Sequence, residues 1–265
     1  MTNYFKRLFS ILSFNTLIAL ILSVGSMWFS ARHGWRLDFP LTMIGVAVVF
    51  PIVFSISGAY SRREVALGHY GMMKSMGRCI FLATRDWLRD SGEVRDANIE
   101  NVKRQIFNVF SHCILLFQNR DNIRFSQEET LIYQEFGHIS GSIEALRDRG
   151  LSGSEVSRVH SYLNKFVTAF EGMKHIHQYR TPRTLRLYSK FFVYVILIAL
   201  GPYFALLAEK QALWIGLLAP VLFAMVFTGL DNIQEDLENP FDQIGEDDIK
   251  INPEKFVLTL ENRRE

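Results

Sequence analysis

Four uncharged runs constrain this chain more than any other feature: Leu8 to Ala31 (24 residues), Phe39 to Ser61 (23), Phe191 to Ala208 (18) and Gln211 to Leu230 (20). A helix rises about 1.5 Å per residue, so about 20 apolar residues cross the hydrocarbon of a bilayer. The runs read as four membrane spans, with two in 1–61 (about 8–31 and 39–61) and two in 191–230. The first run exceeds the 7–15 apolar residues of a signal-peptide core, and no small-x-small cleavage site closes it, so it reads as a span. Asn15 within it is expected to face a neighbouring helix, because hydrocarbon offers its amide no partner. A mean hydropathy of only +0.10 leaves much of the chain outside the membrane. Residues 62–190 read as a cytosolic helical domain and 231–265 as an acidic cytosolic tail. The fold class is therefore an all-α membrane protein.

The second run has a distinctive order. Steps of four place Val46, Phe50 and Phe54 along one stripe, since each step turns a helix only about 40° past a full revolution. Gly45, Ala47, Ser55, Ser57, Gly58 and Ala59 are small enough to let helices approach closely in lipid. Pro51 removes one backbone hydrogen bond and crowds the carbonyl of Ala47, so a kink is expected there. By itself such a stripe fits three roles: facing lipid, packing on a helix or lining a pore.

The polar middle shows amphipathic periodicity over Gly71–Arg89, Val102–Phe117, Glu128–Leu146 and Ser154–Gln178, without strand-like alternation. Ser126 to Glu129 has the pattern of a capping box ahead of the third of these. His175 and His177, two apart, point to different sides of a helix and make a poor metal pair. Catalytic signatures such as G-x-S-x-G, H-E-x-x-H or a phosphate-binding glycine loop do not occur, so an enzyme is not expected. A net charge of +2 argues against nucleic acid as a partner, which would call for a concentrated basic surface. Cys79 and Cys113, the two cysteines, have no metal or redox spacing and read as reduced thiols.

Of 29 Lys and Arg residues, 26 lie in the N-terminus, central domain and tail, and only Arg32, Arg36 and Lys210 lie in the short connectors. Lys6, Arg7, Arg62, Arg63, Arg180, Arg183, Arg186 and Lys190 flank the spans on the other side. Positive charge stays inside, so both termini and residues 62–190 are expected in the cytoplasm of a multi-pass inner- or plasma-membrane protein. After the fourth span, Asp231, Glu235, Asp236, Glu238, Asp242, Glu246, Asp247 and Asp248 gather eight carboxylates in 18 residues. They read either as a solvated helix end or as oxygen ligands for a hard cation.

Ile44 to Arg62, through Gly45, Phe54 and Tyr60-Ser61-Arg62 to Gly71, resembles the second membrane helix of the bestrophin family. The resemblance resumes at Tyr179-Arg180-Thr181-Pro182, Tyr188, Tyr194 and Gly201-Pro202, and again from Gly229 to Asn239-Pro240-Phe241. It implies a homopentameric ion channel, chloride-conducting first of all, whose pore neck is lined by Val46, Phe50 and Phe54. The apolar neck does not itself fix the sign of the ion. The resemblance further implies a cytosolic aperture within Leu151 to Val156, with Leu151 and Val156 as its apolar candidates. It also implies a calcium clasp after Asn-Pro-Phe, with Asn239, Asp247 and Asp248 as ligands, although the acidic run is delayed by Asp242-Gln243-Ile244-Gly245. No other cofactor is implied. The implied partners are further copies of the chain, membrane lipid and permeant inorganic ions. A membrane-anchored sensor or adaptor, binding a partner through its cytosolic helices, is the alternative reading.

Overall fold

The computed structural model describes residues 14–38, 41–88, 93–119, 121–179, 183–243 and 247–261, without the side chains of 41–49, 51, 93–94, 183–186 and 188–189. The start of the first span (Leu8 to Ser13), Phe39-Pro40, the Val46 side chain and Arg180 to Pro182 thus lie outside the described residues. Within them the chain folds into helices α1 (Phe14–Arg32), α2 (Leu41–Asp86), α3 (Glu93–Gln118), α4 (Asn122–Asp148), α5 (Gly153–Gln178), α6 (Arg183–Ala199), α7 (Gly201–Lys210), α8 (Leu213–Glu238) and α9 (Pro253–Glu261). They form two compact units, one from residues up to Arg62 plus Arg180–Glu238, the other from Arg63–Tyr179 plus Asn239–Glu265.

In the first unit, three stretches are long and apolar enough to cross a membrane among the described residues: Phe14–Arg32, Lys190–Lys210 and Leu213–Glu238. Helix α1 buries Thr16, Ala19, Ser23, Met27 and Ser30, a row of mostly small side chains. Asn15, one position from that row, is half-buried. Small side chains let backbones approach, and packing, not apolar burial, drives helix association in lipid. At Gly201 a Cβ would lie 2.1 Å from Ser26 Oγ and 2.8 Å from its backbone, and at Gly216 it would lie 2.2 Å from the Ala208 Cβ. Only glycine fits either crossing.

The third uncharged run stays one membrane-length stretch but is not straight. It breaks at Leu200 between α6 and α7. Pro202 has no N–H to donate to the carbonyl of Ile198, four residues back. Ser26 Oγ donates to that carbonyl at 2.6 Å instead. The break is thus satisfied from a neighbouring helix, as hydrocarbon requires.

Both short connectors are tied together at one end of this unit. Arg36 donates to the carbonyls of Ser30 and Ala31 at the end of α1, at 3.0 and 3.3 Å, and to the Glu209 carboxylate at 2.6 Å. Lys210 lies 3.6 Å from Asp38. Near the other end, Lys190 of α6 reaches Glu235 at 3.0 Å and Asp231 at 3.8 Å on α8.

The second unit is an up-and-down bundle. Partners descend along one helix as they climb its neighbour: Gln105 with Ser142, Asn108 with Glu135 and His112 with Glu128 between α3 and α4. Between α4 and α5 the order is Glu129 with Lys174, Tyr133 with Glu171 and Glu144 with His160. The part of α2 in this unit runs opposite to α5, with His69 against Gly172 and Phe166 against Gly77. Phe110, Phe117, Phe166, Phe170 and Phe241 are fully buried at the centre, each worth about 1.5–3 kcal/mol of apolar burial.

Local signals differ from the sequence reading in three places. The helix expected to start at Gly71 is instead the continuation of the one that begins at Leu41 and ends at Asp86, because the single glycines Gly68 and Gly71 cost only about 1 kcal/mol each and nothing else stops the helix. Helix α4 begins six residues before Glu128, capped by Asp121, whose side chain accepts from the Ile123 amide at 3.2 Å. Ser126 lies inside it. The capping box forms instead at Ser152 and Glu155, the start of α5.

Candidate ion pathway

Helix α2 is one-sided along most of its length. Ile52, Ala59, Ala66, Tyr70, Met73 and Ile80 are buried, while Phe50, Phe54, Ser57, Gly58, Ser61, Val65, Gly68 and Met72 are exposed. The exposed row repeats at helical spacing from the apolar run into the polar one, which is the mark of a face awaiting a second surface. Phe50 and Phe54 are each 61% exposed. Their rings meet edge-on with centroids 4.5 Å apart. Two large aromatic side chains thus form one continuous apolar wall about one helical turn high. The Val46 side chain, one turn further, is outside the described residues.

The described chain is also similar in three dimensions to proteins already solved. No family model matches the sequence, and no curated protein does. A bacterial bestrophin homologue from Klebsiella pneumoniae, in a form carrying a point substitution, superposes with a TM-score of 0.74 at 17% identity, covering 94% of this chain and 98% of its own. A second structure of that homologue gives 0.73 at 18% identity, over 93% and 94%. This chain has the bestrophin fold. A structure described only as a membrane protein matches at 0.76 with 17% identity, over 92% of this chain and 98% of its own. At such identity the likeness speaks for the fold alone, and function has to be argued from the residues.

In this bestrophin fold Leu151 and Val156 are 6% and 4% exposed and pack into the core of the second unit. The Leu151 amide donates to the carbonyl of Leu146 at 3.1 Å, closing the end of α4. Between them Ser152, Gly153 and Ser154 are exposed.

The Asn-Pro-Phe segment starts a closed loop. Pro240 accepts from the Ile249 amide at 2.8 Å, and Gln243, with φ of 65°, donates its side-chain amide to the Ile249 carbonyl at 2.9 Å. Asn239 is buried, its Nδ2 donates to the Asp242 carboxylate, and its Oδ1 has no partner among the described residues. Asp247 is exposed and offers its backbone carbonyl to Arg63 Nε at 2.8 Å. Asp248 is half-buried. Among the described residues no three His, Cys, Asp or Glu side chains converge as a metal site would require. The Oδ1 of Asn239 is left without a partner among the described residues, but the carboxylates do not gather round it, and the donor set so arranged does not fit a calcium ion, which takes six to eight oxygens.

The sequence reading missed the role of the tail. Phe241 stacks on Phe117 with centroids 4.7 Å apart, Phe256 packs on Phe110 at 4.9 Å, and Ile249, Ile251 and Leu260 are buried with them. The apolar spacing of Phe241, Ile249, Ile251, Phe256 and Leu260 carried that signal among the carboxylates.

Proposed function

We propose that the protein is a bestrophin-like ion channel assembled from five copies around α2, with Val46, Phe50 and Phe54 as the pore neck. The observation that carries this reading is the unpartnered Phe50–Phe54 wall, on a helix whose other face is packed. A ring of such walls presents no group to replace an ion's hydration shell, so it closes by dewetting and opens by widening. Anion conduction, chloride included, is the expectation carried by the resemblance. The cytosolic constriction belongs to the Leu151 to Val156 segment, whose exposed positions are Ser152, Gly153 and Ser154. The function is tested by planar-bilayer recording of purified protein whose pentameric mass has been established by native mass spectrometry. Single-channel currents are expected. A pentamer without current, or a stable monomer, overturns the channel and leaves the anchored adaptor.

A further inference from the structure

The register of α3 against α4 brings two separate stretches of the second unit together. The Ser142 hydroxyl donates to the Gln105 side-chain carbonyl at 3.1 Å. Asn98 lies seven residues before Gln105 and Arg149 seven after Ser142, about two helical turns in each case, so the antiparallel order sets Arg149 level with Asn98. Arg149 ends α4, and Gly150, at φ of 92°, turns the chain away towards α5. A crevice of about 430 Å³ opens there, lined by Ala97, Asn98, Glu100, Asn101, Arg104 and Arg149.

Asn98 marks this crevice as more than a surface groove. It is 7% exposed, and its Nδ2 has no hydrogen-bond partner among the described residues. Buried polar groups in native proteins are nearly always paired, so an unpaired amide in the wall of a crevice is a place where a ligand acceptor fits. The amide turns readily about its last bond, which lets its N–H groups be offered to the crevice it lines. Two arginines stand beside it. Arg104 donates to Asn101 Oδ1 at 2.8 Å, which uses one of its several N–H donors. The one carboxylate in the lining, Glu100, is held by Lys103 at 2.8 Å, and Lys103 also pairs with Glu261. Asp96 and Asp148 are exposed and do not line the crevice. The lining thus offers two guanidinium groups and an amide donor against a carboxylate already paired with a third cation.

We propose that this crevice binds a phosphate group, with Arg104 and Arg149 on its oxygens and the Asn98 amide at its buried side. The planar fork of a guanidinium matches phosphate geometry. A group with several acceptor oxygens occupies all three donors at once, which a halide cannot. The crevice has room for more than the ion, so the phosphate is either free or carried on a small metabolite, and the two are separated below. Binding ties the early turns of α3 to the end of α4 within the second unit, and it does not depend on the ion pathway.

The test is calorimetric titration of full-length protein in phosphate-free detergent solution with inorganic phosphate or ribose 5-phosphate. A constant excess of chloride fills any site that takes small anions indiscriminately. Saturable binding of one phosphate per chain is expected. Tighter binding of ribose 5-phosphate makes the phosphate the anchor of a larger ligand, and equal affinities make the free ion sufficient. Arg104→Gln and Arg149→Gln should each weaken binding about tenfold, the loss of one charged hydrogen bond, and Glu100→Gln should strengthen it. Asn98→Leu separates binding from structure. It should weaken binding while raising the thermal midpoint of the ligand-free protein, because it takes an unpaired amide out of a buried position. A lower ligand-free midpoint in Asn98→Leu would make the amide a structural group and overturn the proposal. So would wild-type protein that binds neither probe, or affinities that both arginine variants leave unchanged. Arg104 is exposed, so its replacement does not endanger the fold.

Discussion

The Ser26 hydroxyl lies 2.6 Å from the carbonyl of Ile198, the acceptor that Pro202 leaves without its helical donor. One serine on α1 thus lets a proline bend the third uncharged run inside the membrane. Ser26→Ala should lower stability by about 1 kcal/mol, the range measured for side-chain hydrogen bonds in lipid. Gly201→Ala should cost more, because its Cβ would meet the Ser26 backbone at 2.8 Å and not only a rotatable side chain. Thermal melts in detergent should rank Gly201→Ala below Ser26→Ala and both below wild type. Equal midpoints for all three would mean that α1 and α7 do not cross here.

The two thiols should behave differently. Cys113 is fully buried, and burial pushes its thiol well above the usual range, so little thiolate forms at neutral pH. Cys79 is half-buried. A maleimide should label Cys79 in the folded protein and reach Cys113 only after denaturation, counted by mass spectrometry of the intact chain. Rapid double labelling under native conditions would show that the core around Phe110 and Phe117 is open.

A buried-edge ion network sets the pH response of the helical bundle of the second unit. Lys174 donates to Glu129 at 2.9 Å and to the Tyr133 hydroxyl at 2.6 Å, and lies 2.8 Å from Glu171. Burial alone would raise the Glu171 carboxyl, but hydrogen bonds from Lys174 and Tyr133 outweigh it and hold the group below its ordinary value. Burial would likewise lower Lys174, and Glu171, Tyr133 and Glu129 instead raise it. A carboxyl depressed in the folded state contributes stability above its unfolded pKa of about 4.3 and loses it as pH falls through the folded value. A raised lysine contributes below its unfolded pKa of about 10.4 and loses that contribution above it. Lys174→Met should therefore lower the thermal midpoint at pH 7, with the deficit shrinking as pH falls below about 4. A deficit that is the same at pH 3 and pH 7 would place the cost in packing, not in charge.

How much of this was legible in the sequence differs from place to place. Uncharged run lengths located the three described spans, since length in hydrocarbon is a one-dimensional property. They did not reveal the break at Leu200, because satisfaction of the Ile198 carbonyl depends on Ser26, 172 residues away. The pattern at Ser126 was a sound local signal overruled by a better cap at Asp121, where the helix gains a turn that stacks Phe125 on His177. Leu151 and Val156 are the apolar positions of a segment that the resemblance points to, and their apolarity draws them into the core of the protomer. Phe50 and Phe54 are equally apolar yet stay exposed, because they lie on the side of α2 away from Ile52 and Ala59. Periodicity names a stripe without saying which surface covers it.

That uncovered stripe gives the sharpest expectation. Four residues at about 1.5 Å each separate successive rings along the axis, so the walls of Val46, Phe50 and Phe54 would form an apolar collar roughly 12 Å long. Water in such a collar loses hydrogen bonds and gains none, and an ion loses its shell. Phe50→Ala and Phe54→Ala should each widen the collar and raise open probability or conductance above wild type. The double variant should exceed either, since the two rings touch at 4.5 Å and leave one barrier between them. Leu222→Ala, exposed on α8 of the same unit, supplies the control for truncating an exposed apolar side chain and should leave conduction unchanged. Single-channel recordings of protein with confirmed pentameric mass decide it. Neck variants that assemble and conduct like wild type would place Phe50 and Phe54 against lipid or a neighbouring helix, and the ion pathway would have to run elsewhere.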